Sequence, residues 1–495
     1  MNDHMLDAGA ELHPDPSRVI LRLFLPGEEA RDGHPRVSDV VTRLFERPNG
    51  TDAVTAKAIL DSFGSRTVDL KAVLLDHATA VSSHTDRWDE LGEDERLLLG
   101  ATFSAEYAIE GAALCNPSAM PHPDQSGLEP GQLRVAVSLR SIGEGHVSSI
   151  SFISAIIGPG RTWTFGERTL PLTPLTLGPA RWTLEHFVDL LEQHRLLNDE
   201  ISDAVVRALG DTFGPTELEA AIATLPPQLM ERHDAGPHIE ALRAMVKTAY
   251  SLEFPEASDL AQRVLMPVAH EEIKGMEDAR FVLFTLEDGT QEYRATYTAY
   301  DGTRIAPRVL TSPDLRRFES HRLSGSAARN KGIALFPRKV GGRYLALTRS
   351  DGENSSLAWS DDGRVWTHKT PVHVPRRLWE IVKTGNCGAP IETDRGWLVI
   401  THGVGPMRRY CIGAILLDLD HPEKVLARLE RPLLEPADAE RNGYVPNVVY
   451  SCGGLVHDGI LWLPYGIADT HIRVASIPVT DLLDAMIPVG APGSA

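Results

Sequence analysis

Ser312-Pro313-Asp314-Leu315-Arg316-Arg317-Phe318 returns 48 residues later as Ser360-Asp361-Asp362-Gly363-Arg364-Val365-Trp366. Both copies read Ser-x-Asp-x-x-x-aromatic. Looser echoes follow at Leu416-Leu417-Asp418-Leu419-Asp420-His421-Pro422 and at Ala475-Ser476-Ile477-Pro478-Val479-Thr480-Asp481. From Val268 onward the chain runs as short alternating apolar stretches with turn residues between them. Sheets of about four strands recurring every roughly 40 to 60 residues are the mark of a β-propeller. A β-sandwich is the alternative, but it does not by itself explain the 48-residue repeat.

Four such units fit between Val268 and the end. A fifth lies near Asn116 to Ile157, where Leu133 to Arg140 alternates like a strand, Gly143-Glu144-Gly145-His146 reads as a turn, and Val147 to Ile157 resumes the alternation. The expected fold is mainly β, a five-bladed propeller with helical additions. Residues 1 to about 17 read as a tail and Val19 to Phe24 as a strand, while Val37 to Leu114 carries apolar residues at helical spacing. Helices return between Leu170 and Pro267, with apolar faces over Leu184 to Leu197, Asp199 to Phe213, Glu217 to Leu225 and Ile239 to Leu252. The division expected is a tail and helical module at 1–113, a first blade at 114–165, a helical insertion at 166–267, and the remaining blades with a C-terminal tail at 268–495.

With 68 acidic against 49 basic residues the chain carries a formal charge of −19, which argues against a nucleic-acid or anionic-membrane partner. A small anion held by a few local cations is still allowed. No apolar run approaches the length of a membrane helix, and Met1 to Arg18 lacks the regions of a signal peptide. Cys115, Cys387, Cys411 and Cys452 are widely spaced without a C-x-x-C pair and read as reduced thiols, so a cytoplasmic protein is expected. Exposed-looking helix faces such as Glu217 to Ala223 leave room for a homo-oligomer.

Propeller strands converge on a central channel, so polar motifs distant in sequence can meet there. The candidates are Asn116, Arg140 with Glu144 and His146, Glu277-Asp278-Ala279-Arg280, Asn330-Lys331, Arg349, His402, Tyr410 and Asp469. The motifs Asn116-Pro117, Glu277 to Arg280, Thr296 to Gly302, Ala334 to Pro337, Gly396 to Val404, Pro446 to Val449 and Tyr465 to Thr470 resemble, in order, those of glycoside hydrolase family 130. That family comprises β-mannoside phosphorylases and some β-1,2-mannosidases on five-bladed propellers. The resemblance covers about Leu114 to Ile157 and Val268 to Met486, leaving both helical regions outside it.

The resemblance implies Asp278 as proton donor, acting through a sugar hydroxyl. It implies Arg140, Lys331 and Arg349 as the phosphate site, with His402 and Tyr410 as neighbours, and Asn116, Asp469, Glu277 and Arg280 around the sugar. Tyr297, Trp359 and Tyr465 could offer stacking faces. The substrates implied are an oligosaccharide and inorganic phosphate as co-substrate, with no cofactor and no metal. Two departures stand out: Gly332 follows the lysine where an acidic residue is common, and Arg349-Ser350-Asp351-Gly352-Glu353-Asn354 replaces a more usual His-Arg-Pro.

Inverting hydrolysis needs a base for water besides the acid, whereas phosphorolysis needs cations for the nucleophile. Glu144 is the alternative base, unless it is a turn carboxylate paired with Arg140. The reading is therefore an inverting β-mannoside phosphorylase giving α-mannose 1-phosphate. An inverting β-mannosidase, with Glu144 or another carboxylate as base, and a non-catalytic carbohydrate-binding propeller are the alternatives. Neither a G-x-x-x-x-G-K-[ST] nor a G-x-G-x-x-G loop stands between strand and helix, and no H-E-x-x-H pair or G-x-S-x-G elbow is present.

Overall fold

The repeated Ser-x-Asp motif is a turn that closes on its own backbone. The computed structural model describes residues 6–26, 36–47, 52–197 and 199–490. Ser312 Oγ accepts from the Leu315 amide (2.8 Å), and Asp314 Oδ1 accepts from the amides of Arg316 (3.0 Å) and Arg317 (2.9 Å). The second copy repeats this: Ser360 Oγ accepts from Gly363 (2.9 Å), Asp362 Oδ1 from Arg364 (2.8 Å) and Val365 (2.9 Å). Such turns satisfy amides that the strands leave behind. Leu315 and Gly363 occupy the same left-handed place, at φ 55° and 78°. Phe318 and Trp366 then enter the core, each 1 % exposed. At the third echo Asp418 Oδ1 accepts from Asp420 (3.0 Å) and His421 (2.8 Å).

Each turn joins the third and fourth strands of an antiparallel sheet. The second sheet holds Gly275–Thr285, Gln291–Tyr300, Ile305–Ser312 and Arg317–Arg322. A third holds Ala334–Leu335, Tyr344–Thr348, Ser355–Ser360 and His368–His373. Lys383–Asn386, Gly396–Val404, Tyr410–Leu417 and Val425–Arg428 make a fourth. The first sheet comprises Ala113–Pro121, Leu133–Ile142, Ser148–Gly158 and Thr162–Phe165, joined to the second by one parallel pairing of Gly275 with Ser148.

The fifth sheet corrects the expected tail. Its strands Val449–Tyr450, Ile460–Ile467 and His471–Pro478 are followed by the helix Val479–Asp484, so the last echo yields no fourth strand. Leu6–Leu12 fills that place by pairing antiparallel with His471–Pro478. Leu12 of this strand is buried and Ala8 and Ala10 are partly so; Leu6, Ala8, Ala10 and Leu12 alternate with Asp7, Gly9 and Glu11, but two of the four are alanines, which give a weak strand signal. Of the two expected tails, residues 1–5 and 491–495 lie outside the described residues.

Cores lie between neighbouring sheets and follow one another round. Ala136 and Phe152 meet Phe281 and Ala295 between the first and second sheets. Val282 and Val309 meet Ala346 and Ala358 between the second and third, and Leu345 and Leu347 meet Val399 and Ile415 between the third and fourth. Leu398 and Ile412 meet Leu461 and Leu463 between the fourth and fifth. Trp462, Val474 and Leu12 return to Val135 and Val137 of the first. Because Leu6–Leu12 borders that last core, a chain starting after Leu12 should melt lower by about 3 °C or more. Scanning calorimetry that finds an unchanged midpoint would contradict the strand's role.

The helical regions are present with shifted boundaries. Helices Arg36–Phe45, Asp52–Phe63, Leu70–Ala80 and Glu93–Thr102 precede Ser104–Ala108, a strand paired with Val19–Leu23. The expected run of helix to Leu114 is thus too long. In the insertion, helices Leu184–Gln193, Glu200–Ala208, Pro215–Ala223, Pro227–Met230 and Ala235–Val246 share a core around Trp182 and Phe187. Here too the last helix stops early. Tyr250–Glu253 is a strand between Arg317–Arg322 and Thr176–Pro179, widening the second sheet at its outer edge. Its alternation buries Tyr250 and Leu252, a period of two that overrides the helical reading.

Candidate active site

Two bulges on innermost strands set the centre of the site. Pairing of Ala113–Pro121 with Leu133–Ile142 slips between Cys115 and Ser118, and pairing of Gly275–Thr285 with Gln291–Tyr300 slips between Glu277 and Arg280. Within the slips Asn116 (φ 50°) and Asp278 (φ 57°) are left-handed, a conformation that Asn and Asp tolerate better than other residues with a side chain. A bulge re-aims its side chain, and Asn116 Nδ2 donates to Asp278 Oδ1. The hairpin turns of the fourth and fifth sheets add consecutive left-handed pairs, Met407-Arg408 and Ala468-Asp469, whose second members reach the same place.

Asn116, Arg140, Asp278, Lys331, Arg349, His402, Tyr410 and Asp469, all expected from sequence, line one cavity of about 390 Å³. Asn330 lines it beside Lys331, and Lys383, Arg408 and Tyr450 join them unforeseen. A hollow of about 570 Å³ on the outer edge of the second sheet is larger, but it brings together only neighbouring strands of one sheet. The smaller cavity collects groups from all five sheets, including carboxylates and cations.

Four expected residues, Glu277, Arg280, Glu144 and its turn neighbour His146, stand elsewhere. Glu277 clamps two cations: Arg140 Nη2 donates to its Oε1 (2.6 Å) and Lys331 Nζ to its Oε2. Arg280 is committed below the cavity, with Nε on Asn386 Oδ1 (3.0 Å), Nη1 on the Asp278 carbonyl (2.8 Å) and Nη2 on Tyr450 Oη (2.8 Å). Glu144 is exposed on the 3₁₀ turn Glu144–His146 and does not line the cavity. The expected pairing of Glu144 with Arg140 is not formed, because Arg140 instead faces Glu277 and Asp278, the latter at 3.6 Å.

The three proposed stacking faces are corrected as well. Tyr297 is buried against Glu272, Ser320 and Arg308, Trp359 stacks on His368, and Tyr465 belongs to the core between the fourth and fifth sheets. Strand alternation identifies a face but not whether that face meets a ligand or a neighbouring sheet.

The electrostatics divide the two carboxylates. Burial acts to raise the Asp278 pKa, but Arg140, Arg280 and Lys331, with the Asn116 hydrogen bond, hold it below the usual carboxylate range. For Asp469 burial prevails, with the Asp278 charge adding to it against Arg140 and Arg408, and its pKa is pushed up to about 6. His402 is kept neutral by burial and by Arg349. Arg349 Nη1 donates to His402 Nε2 (2.9 Å) and His402 Nδ1 donates to the Asn386 carbonyl (3.1 Å), which together define the tautomer. Gly385 permits this approach, since a Cβ there would stand 2.6 Å from His402 Cε1.

In total Arg140, Lys331, Arg349, Lys383 and Arg408 surround a cavity with two lining carboxylates, Asp278 and Asp469. This local cation excess sits in a chain of net charge −19. It suits an anion, while the amide and carboxylates suit vicinal hydroxyls. The class so defined is an enzyme handling a polyhydroxylated substrate beside an anion.

Comparison with known proteins places the chain within that class. The pattern of glycoside hydrolase family 130, described as beta-1,4-mannooligosaccharide phosphorylase, matches residues 247–487. The chain is 35% identical over 258 residues to the 1,2-beta-oligomannan phosphorylase of Thermoanaerobacter sp. (strain X514), covering 50% of this chain and 84% of that protein. It is 38% identical over 220 residues to the beta-1,2-mannobiose phosphorylase of the same organism, covering 43% and 70%. Among solved structures, the beta-1,2-mannobiose phosphorylase from Listeria innocua in complex with beta-1,2-mannobiose aligns over 77% of this chain and 92% of that one, at 20% identity and a TM-score of 0.44. The chain belongs to glycoside hydrolase family 130 and is an enzyme of that family.

Proposed function

We propose that the protein cleaves β-mannosides with inorganic phosphate on a five-bladed propeller, giving α-mannose 1-phosphate and a shortened acceptor. The observation that carries this is the cavity's cation excess, with five basic side chains about two carboxylates. The five sheets with cores shared in rotation support the propeller, and the phosphorylase names of the relatives support the reaction.

In the reaction phosphate is held by Lys331, Arg349 and Arg140, with His402 orienting Arg349. Lys383 and Arg408 add charge at the cavity wall. A phosphate oxygen forms a bond to the anomeric carbon from the face opposite the leaving oxygen. The electron pair of the breaking C–O bond goes to that oxygen, which receives the proton of Asp278 through a sugar hydroxyl. Asn116 orients Asp278 and, with Asp469, receives hydroxyls of the cleaved sugar. The cations that hold the Asp278 pKa down are partly neutralised when phosphate binds, so Asp278 takes up a proton from solvent at that stage and passes it to the leaving oxygen. A hydrolytic reading needs a base for water; Glu144 is outside the cavity, and the second lining carboxylate, Asp469, is the one assigned to sugar hydroxyls.

The test is incubation with β-1,2- and β-1,4-mannobiose, with and without phosphate. Sugar phosphate formed only with phosphate is the expected result. Free mannose in both samples would make it a mannosidase, and binding without turnover would leave a carbohydrate-binding propeller. Asp469 adds a pH signature. Its carboxylate loses charge as pH falls through about 6, weakening acceptance of sugar hydroxyls. The kcat/KM for the mannoside should therefore fall below that pH and lose this inflection in Asp469→Asn. An inflection persisting in the variant would assign it to another group.

A further inference from the structure

A sugar that extends out of the cavity needs an apolar face to lie on, and the rings inside the cavity are already engaged. Tyr410 faces Lys383 Nζ at 5.5 Å, and Tyr450 is buried, with its Oη accepting from Arg280 (2.8 Å). Tyr444 differs from both. It is 42% exposed and directly precedes Val445, which lines the cavity.

Its position is fixed at three points. The Tyr444 amide donates to Thr470 Oγ1 (3.1 Å), and the Val445 amide donates to the Ala468 carbonyl (2.9 Å), so the segment lies along the turn that carries Asp469. The Tyr444 hydroxyl meets His146 Nδ1 at 2.9 Å, with the two rings 5.8 Å apart. His146 belongs to the turn with Glu144, and that turn is itself supported: Gly143 N donates to the Val147 carbonyl (3.1 Å), and Tyr107 Oη donates to the same carbonyl (3.1 Å). An exposed ring held this way loses little freedom when a ligand covers it.

We infer that Tyr444, held by His146, is the stacking face for the acceptor-side sugar, and that Glu144 accepts a hydroxyl hydrogen bond from the same sugar. The pyranose presents a face of C–H groups to the ring and its equatorial hydroxyls to the carboxylate. This gives Glu144 a place in acceptor recognition rather than in activating water. The inference rests on the phosphorylase reading and names the residues that select the acceptor.

The experiment runs the reaction in reverse, with α-mannose 1-phosphate and mannose or mannobiose as acceptor. Tyr444→Ala should raise the acceptor KM about tenfold while leaving the KM for α-mannose 1-phosphate unchanged. Tyr444→Phe, which keeps the ring, should stay within about twofold of the parent. Glu144→Gln should raise the acceptor KM and create no change in hydrolysis. An unchanged acceptor KM in Tyr444→Ala, or an equal rise in both KM values, would overturn the assignment. Calorimetric titration with mannobiose separates the two readings, because weaker binding by Tyr444→Ala supports the stacking face even if the parent makes no sugar phosphate. Equal binding by parent and variant counts against it.

Discussion

Asp278→Asn is expected to lower kcat by about 1,000-fold, the range over which a positioned acid contributes, while the protein still binds mannoside. The substitution keeps the shape of the side chain and removes only its charge and its proton. The backbone carbonyl that accepts from Arg280 (2.8 Å) is untouched. A second readout separates loss of the acid from a disturbed site. Asp278 now cancels part of the field of Arg140, Arg280 and Lys331, so its neutral replacement should bind phosphate more tightly. Turnover near the parent's would refute the acid, and weaker binding of phosphate would show that the side chain has a structural part in the anion site.

The second large effect concerns the anion. Lys331→Ala and Arg349→Ala should each raise the KM for phosphate about 10- to 100-fold, as expected for loss of a hydrogen bond to a charged group, with little change in the KM for mannoside. The two differ in what they leave behind. Removing Lys331 leaves Glu277 with Arg140 alone, which withdraws a second cation from phosphate. Removing Arg349 leaves His402 Nε2 without its donor but spares the Glu277 clamp. Lys331→Ala should therefore be the more damaging, and Lys331→Ala combined with Glu277→Gln should recover part of the loss. Equal rises in the phosphate and mannoside KM values would remove these residues from the phosphate site.

The sheets were legible because their turns carry their own chemistry. Ser312 with Asp314 and Ser360 with Asp362 bond the backbone within a few residues, so the motif survives as a local pattern. Closure of the last sheet was not legible, since Leu6–Leu12 takes its place from the pairing with His471–Pro478, at the other end of the sequence. The strand Tyr250–Glu253 has its own period of two, but over four residues, directly after a helix, that pattern is too short to stand apart, and pairing with Arg317–Arg322 and Thr176–Pro179 fixes it as a strand. Tertiary pairing of this kind overrides local propensity.

Within the site, motif resemblance found most of the residues that line the cavity, but assigned Glu277 and Arg280 to the sugar although each is engaged by other side chains. Lys383 and Arg408 were missed for different reasons. Lys383 opens a strand and gives no signal beyond its charge. Arg408 is aimed by a left-handed pair in Pro406–Arg408 that no glycine announces. The aromatic candidates failed because buried and ligand-facing rings share one strand pattern, whereas Tyr444 lies outside any strand. Glu144, singled out as an alternative base, lies exposed on the turn with His146 and outside the cavity.

The most direct measurement follows the reaction of the parent protein with β-mannobiose and phosphate by ³¹P and ¹H NMR at initial rate, in ¹⁸O-labelled water. Phosphate as nucleophile gives α-mannose 1-phosphate with no label from the solvent, and no reaction when phosphate is left out. Labelled free mannose, formed at the same rate with or without phosphate, would contradict it.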